Sequence, residues 1–192
     1  MNIKTRFISA IALLAFGTAH AQDKPVPEPS NIISLSPLQI SDQGLGVAIS
    51  YERYLDKKKG LVSFYMPVSV AFENSGSNDY NAYYIMPGIK IYPTGNKGVV
   101  KYAVGPNLTF LADKLNTNEY IYDVATGQGY TKYGTENRLA MGMVINNSLN
   151  INPSDHLHMA LEFGLGFSYY SSYDNDGTLP FTQLGFQIGY RF

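Results

Sequence analysis

From Gly44 to the last residue, large apolar side chains fall on every second position in one run after another. In GLGVAISYERY, Leu45, Val47, Ile49 and Tyr51 share one face, and Gly46, Ala48, Ser50 and Glu52 share the other. A period of two predicts a strand with one apolar face, because successive side chains point to opposite sides of a sheet. Leu61 to Asn74 sets Val62, Phe64, Met66, Val68, Val70 and Phe72 against Ser63, Tyr65, Ser69 and Glu73. YNAYYIMPGIKIY sets Tyr83, Ile85, Ile89 and Ile91 against Tyr84, Gly88 and Lys90. VVKYAVGPNLTFLA sets Val100, Tyr102, Val104, Leu108 and Phe110 against Lys101, Ala103, Gly105, Asn107 and Thr109. Asn137 to Ile151 opposes Leu139, Met141, Met143 and Ile145 to Arg138, Ala140, Gly142 and Asn146. The run from Leu157 opposes Leu161, Phe163 and Leu165 to His158, Glu162 and Gly164, and LGFQIGYRF alternates to its last residue. With Asn31 to Ile40, interrupted by Pro37, these make about eight strands and no sustained helical period.

The connections divide into two kinds. LDKKKG, PTGNKG and NPSDH are short turns at every second junction. The other junctions carry the loops near Gly76 and Asp174 and a long, polar, Tyr-rich segment from about Asp113 to Glu136, with a short link at Asp42 to Gly44. Short turns at one end and longer loops at the other predict an eight-stranded antiparallel up-and-down transmembrane β-barrel, an all-β fold with both termini on the periplasmic side. Each strand is near the roughly nine to eleven residues that a tilted strand needs to cross a bilayer. The small, polar face fits a narrow lumen, and the apolar face fits lipid, which reverses a soluble sandwich. Pro37, Pro67, Pro87 and Pro106 interrupt strands where a ladder donor is wanted. Each is expected at a bulge or an unpaired position, as a local kink or the edge of a lateral opening.

The N-terminus adds an address. MNIKTR is a basic start, FISAIALLAFG an apolar core too short to span a membrane as a helix, and Ala19-His20-Ala21 an A-x-A site. Residues 1–21 are therefore expected to be a signal peptide, followed by a Pro-rich periplasmic lead-in at 22–30 and the barrel at 31–192. The chain has no cysteine, so no disulfide and no lipid-anchored cysteine is expected. Removal of the leader takes Lys4 and Arg6 and leaves 12 basic against 15 acidic residues, a net charge of −3. That excludes an electrostatic footprint for nucleic acid.

Chemistry is sparse. Parity points Glu52, Glu73, Lys90, Lys101, Arg138, Glu162 and Arg191 into the lumen, where isolated charges are costly, so a network of ion pairs that plugs the barrel is expected. Ser154, His156, His158 and Glu162 are the residue types of a hydrolase triad, but they sit by a predicted periplasmic turn and read as ordinary turn and lumen residues. They are too few for zinc, and no cofactor or catalytic site is expected. In the long segment, Tyr120, Tyr122, Tyr130 and Tyr133 with Asn and Gly suit either an adaptable contact surface or strands that extend beyond the membrane.

The last strand, with Phe186, Ile188, Tyr190 and the terminal Phe192, resembles the C-terminal signal strand of bacterial outer-membrane barrels. The resemblance implies that the barrel assembly machinery reads those residues. Size and layout are similar to the small barrels of outer-membrane proteins X and W. NIISLSPLQI followed by SYERYLDKK resembles the start of a porin-like barrel family common in Bacteroidetes. The resemblance implies a monomer in the bacterial outer membrane, in contact with its lipid and with no catalytic motif. The expected role is non-enzymatic, in envelope structure or surface contact. A channel for small solutes or lateral diffusion is the first alternative, and a lipid A-modifying enzyme the second.

Overall fold

The structure is a computed structural model that describes residues 30–56, 59–75, 78–95, 97–123, 127–172 and 178–192. The expected signal peptide and all of the lead-in except Ser30 lie outside the described residues. Nine strands follow one another: β1 (Asn31–Ser41), β2 (Gly44–Tyr54), β3 (Val62–Ser75), β4 (Asn78–Ile85), β5 (Gly88–Ile91), β6 (Val100–Asp123), β7 (Gln128–Ile151), β8 (Leu157–Ser171) and β9 (Leu179–Arg191). All pairings are antiparallel; strands adjacent in sequence pair, except β4 with β5, and β1 pairs with β9, so the sheet closes. Both β4 and β5 lie between β3 and β6 and share one place in the wall, which makes a ring of eight. Closure leaves no edge within the ring and pairs the backbone all the way round.

Side-chain parity agrees with the alternation in the sequence. The small and polar set is buried, and the aliphatic set is exposed on the outside, with Ile49 61% and Leu161 52% accessible. Tyr102, Tyr190 and Phe192 flank this outer band near the termini, and Tyr83, Tyr169 and Tyr170 flank it at the far end. Two aromatic girdles around an aliphatic band are what a bilayer demands of a barrel surface.

Three details depart from the sequence reading. The expected fourth strand is split, because Pro87 breaks the ladder between Ile85 and Gly88. Here Met86 N–H donates to the Pro67 carbonyl at 3.0 Å and Leu108 N–H to the Pro87 carbonyl at 2.9 Å. The side chain of Asn107 donates to the Met86 carbonyl at 2.9 Å, so a buried amide serves where the ladder cannot. Of the four prolines, Pro37 lies at a register shift in β1, whereas Pro67 and Pro106 stay in register with Ser50 and Ile145. A bulge is therefore not their general solution; Pro67 turns its unladdered side to the break between β4 and β5.

The third concerns Asp113 to Glu136, which is no irregular loop but takes the other reading, strands that run on past the wall. It continues β6 and β7 as a two-stranded ribbon, in unbroken register from Asp113 opposite Arg138 to Asp123 opposite Gln128. The pairing of β6 with β4 ends at Ala112, and that of β7 with β8 at Ala140, so among the described residues the ribbon has no ladder neighbour on either side. Its outermost described turn residue, Gly127, has φ 66°, a left-handed conformation that glycine adopts without strain. Both faces of the ribbon meet water, so the apolar and polar alternation that marks the other strands is lost.

Candidate functional site

The polar face of the ring folds inward, and its chemistry gathers in layers. Glu52 projects from β2, Lys90 from β5 and Glu162 from β8, all three almost completely buried. Lys90 Nζ lies 3.2 Å from Glu52 Oε2 and 2.7 Å from Glu162 Oε1. It also sits 3.6 Å above the centre of the Tyr65 ring. A buried ammonium is tolerable only with this density of compensation. The carboxylates have further donors. Tyr65 Oη donates to Glu162 Oε2 at 2.7 Å, and Gln187 Nε2 donates to the same oxygen at 2.8 Å and to Tyr65 Oη at 2.6 Å. Ser63 Oγ and Tyr92 Oη donate to Glu52 Oε1 at 2.7 and 2.5 Å. The result is one connected set across five strands.

Toward the termini the lumen is filled by Ile32, Tyr54, Tyr92 and Ala103, with the Tyr54 and Tyr92 rings 5.4 Å apart. On the other side of the ion pairs lies a second apolar layer of Ala71, Ala82, Tyr84, Met86, Val144 and Phe181. In it the rings of Tyr84 and Phe181 meet edge to face at 5.5 Å. Beyond this layer Arg138 grips Asp113 with two hydrogen bonds, Nε to Oδ1 at 2.9 Å and Nη2 to Oδ2 at 2.5 Å. A cavity of about 30 Å³ beneath this pair is lined by Thr109, Leu111, Val144 and Phe181 among others. That is room for about two water molecules.

Of the charges expected in the lumen, Glu52, Lys90 and Glu162 come together. Lys101 and Arg191 are buried toward the same end of the barrel, and Arg138 is buried near the other. Glu73 lies in β3 opposite Tyr80, and its side chain is outside the described residues. Asp113, expected at the start of a loop, is a strand residue paired with Arg138. Tyr65, Tyr92 and Gln187 were not expected as partners, although a tyrosine on the inward parity of a strand was the available signal.

The hydrolase set does not assemble. His158 is buried, with Nδ1 2.8 Å from Asn152 Oδ1. Ser154 Oγ accepts the Leu157 N–H at 3.1 Å within the turn. His156 lies with its ring stacked on Tyr190 at 5.4 Å. Among the described residues no group of three or more His, Cys, Asp or Glu could hold a metal ion. The terminal strand places Leu184, Ile188, Tyr190 and Phe192 outward, with Phe186 on the same parity and partly covered. Phe192 also joins the seam: its N–H donates to the Asn31 carbonyl at 2.9 Å and its carbonyl accepts from the Asn31 N–H at 3.0 Å. Tyr120, Tyr122, Tyr130 and Tyr133 all stand exposed on the ribbon.

No protein-family model and no curated protein matches the sequence. Solved structures do match by shape. The attachment invasion locus protein Ail of Yersinia pestis superposes with a TM-score of 0.52 at 11% identity, over 86% of this chain and 99% of Ail. Neisserial surface protein A superposes with a TM-score of 0.53 at 11% identity, over 87% of this chain and 98% of that one. The fold is that of the small outer-membrane β-barrels. At such identity the likeness extends to the fold and not to residues.

Proposed function

We propose that the chain is a non-enzymatic, monomeric barrel of the bacterial outer membrane whose lumen is sealed by its own side chains. Its role lies in envelope structure or surface contact, and the β6–β7 ribbon is the part that reaches outward. The observation that carries this reading is the filled lumen. A connected ion-pair and tyrosine layer and an apolar layer lie one behind the other, and an eight-stranded ring has little room besides. The outer aliphatic band between aromatic girdles supports the membrane location. On this reading the termini are periplasmic, the barrel assembly machinery reads β9 and Phe192, and outer-membrane lipid is the main contact. The segments NIISLSPLQI and SYERYLDKK, in β1 and from the end of β2 onward, support a place near the porin-like barrels of Bacteroidetes.

Single-channel recording in planar bilayers tests it. The purified, heat-modifiable barrel is expected to give no stable conductance steps. Large, stable steps would overturn the sealed lumen in favour of a small-solute channel. Mass spectrometry of lipid A from cells with and without the protein is expected to show the same acyl pattern. A changed pattern, abolished by His158→Ala, would make the protein an enzyme.

A further inference from the structure

The ribbon has two unlike faces, and one of them continues the outside of the barrel. Residues directly opposite in a ladder share a face. Lys114 to Tyr122 on the even positions of β6, with Gly129 to Asn137 on the odd positions of β7, therefore extend the surface that carries Leu108 and Phe110. This outward face holds Tyr120, Tyr122 and Tyr133, of which Tyr133 is 77% and Tyr120 69% accessible. It also holds Asn118 and Thr131, one cation, Lys114, and no carboxylate. Glu119 and Glu136 are on the opposite face, where Glu119 stands across from Lys132. A Cβ built on Gly129 would come within 1.9 Å of Tyr120 Oη. The hydroxyl end of the Tyr120 ring thus lies over the glycine, in space that a side chain there would fill.

We propose that this face packs on the phosphorylated sugars of the outer-leaflet glycolipid. The inference rests on the outer-membrane reading above and gives the surface contact a partner. Three observations favour it. The face is continuous with the band that would meet acyl chains, so its first rungs stand at the height of the lipid headgroups. The ribbon is roughly 33 Å long at about 3.3 Å per residue. That is far more than a phospholipid headgroup layer spans, even for strands that tilt by about 35–45°, so the ribbon reaches past that layer. Finally, the exclusion of carboxylates suits an anionic layer, tyrosine rings suit the C–H faces of sugars, and Asn and Thr can exchange hydrogen bonds with their hydroxyls.

Hydrogen exchange of the full chain in nanodiscs tests the proposal, with phosphatidylcholine alone compared with phosphatidylcholine plus rough-type lipopolysaccharide. Amides between 114 and 136 are expected to exchange at least about threefold more slowly with the glycolipid, with the barrel amides unchanged. Tyr120→Ser/Tyr122→Ser/Tyr133→Ser should abolish that difference, and Glu119→Gln/Glu136→Gln should keep it. Because serine could loosen the ribbon itself, Thr131→Glu serves as a second variant. It retains every tyrosine, adds a carboxylate to the outward face, and should reduce the protection. Equal exchange in the two nanodiscs, or a slowing that survives both outward-face variants, would overturn the proposal. So would protection that requires an added extracellular protein and ignores the glycolipid. Heat-modifiable mobility and protected barrel amides in the same samples report on the outer-membrane reading separately, so the two can fail independently.

Discussion

Lys90 carries one positive charge between the carboxylates of Glu52 and Glu162, and all three are almost fully buried. Removal of the ammonium would leave two carboxylates facing each other across the lumen without their shared cation. A broken buried ion pair typically costs about 3–5 kcal/mol, because the surviving charge keeps its desolvation penalty. Lys90→Met is therefore expected to lose about that much stability in equilibrium urea unfolding in lipid vesicles. Lys90→Met/Glu162→Gln, which removes the pair, should recover part of the loss. A Lys90→Met barrel as stable as the parent would mean that water reaches the carboxylates and the layer is no seal. Tyr65→Phe tests the neutral part of the network. It removes the hydroxyl between Glu162 and Gln187 and should cost about 1–2 kcal/mol. Gly105 makes a different point, since a Cβ there would lie 1.8 Å from the Ile89 carbonyl oxygen. Gly105→Ala must push β5 away from β6 beside Pro106, where the wall has already lost a donor.

Strand β9 and the ribbon show how differently two elements can be read from sequence. In β9 the alternation is clear from Leu184 onward because its two faces meet different surroundings, an outer apolar one and a polar lumen. Leu184, Ile188 and Tyr190 could therefore be assigned outward and Gln187 and Arg191 inward from parity alone. Beyond the buried Asp113–Arg138 pair the ribbon is open on both faces, so residues 114–137 carry no such contrast and do not stand out as strands. Asp113, the partner of Arg138, was lost with them. The split of β4 from β5 was half legible: Pro87 announced a break, but not that Asn107 would bridge it. Two predictions belong to these elements. Replacement of residues 115–136 by a tight turn should leave heat-modifiable mobility and refolding yield nearly unchanged, since among the described residues no strand pairing holds the ribbon to the barrel. A loss of refolding would mean that the ribbon nucleates the barrel. Phe192→Ala keeps both backbone hydrogen bonds to Asn31 and removes a ring that is half exposed. It should refold from urea into detergent almost as well as the parent and still fall severely in outer-membrane yield. Normal membrane levels would show that the terminal ring is a lipid contact and no assembly signal.

Across the whole molecule, the lumen is filled by layers in series, and this arrangement could not be read from one strand at a time. Parity named Glu52, Lys90 and Glu162 as inward, but their meeting depends on the stagger of β2, β5 and β8 around a closed ring. The ion-pair layer with Tyr92 closes the half of the lumen nearer the termini, and Tyr84 with Phe181 closes the half beyond it. Two barriers in series give a non-additive prediction. Tyr84→Ala/Phe181→Ala removes the apolar layer, leaves the ion pairs in place, and is expected to stay silent in planar bilayers. Tyr65→Ala/Tyr92→Ala thins the other layer and should be silent too, because Tyr84 and Phe181 still meet at 5.5 Å. The fourfold variant opens both and should show small conductance steps. Heat-modifiable mobility must confirm that each variant is folded, since truncation of a buried aromatic costs about 3–5 kcal/mol. Should the fourfold variant prove too unstable, Tyr84→Ser/Phe181→Ser/Tyr92→Ser tests the same series with smaller, more polar gaps. Steps from either twofold variant alone would show that the layer it retains does not block ions, and the lumen would then have one gate and not two.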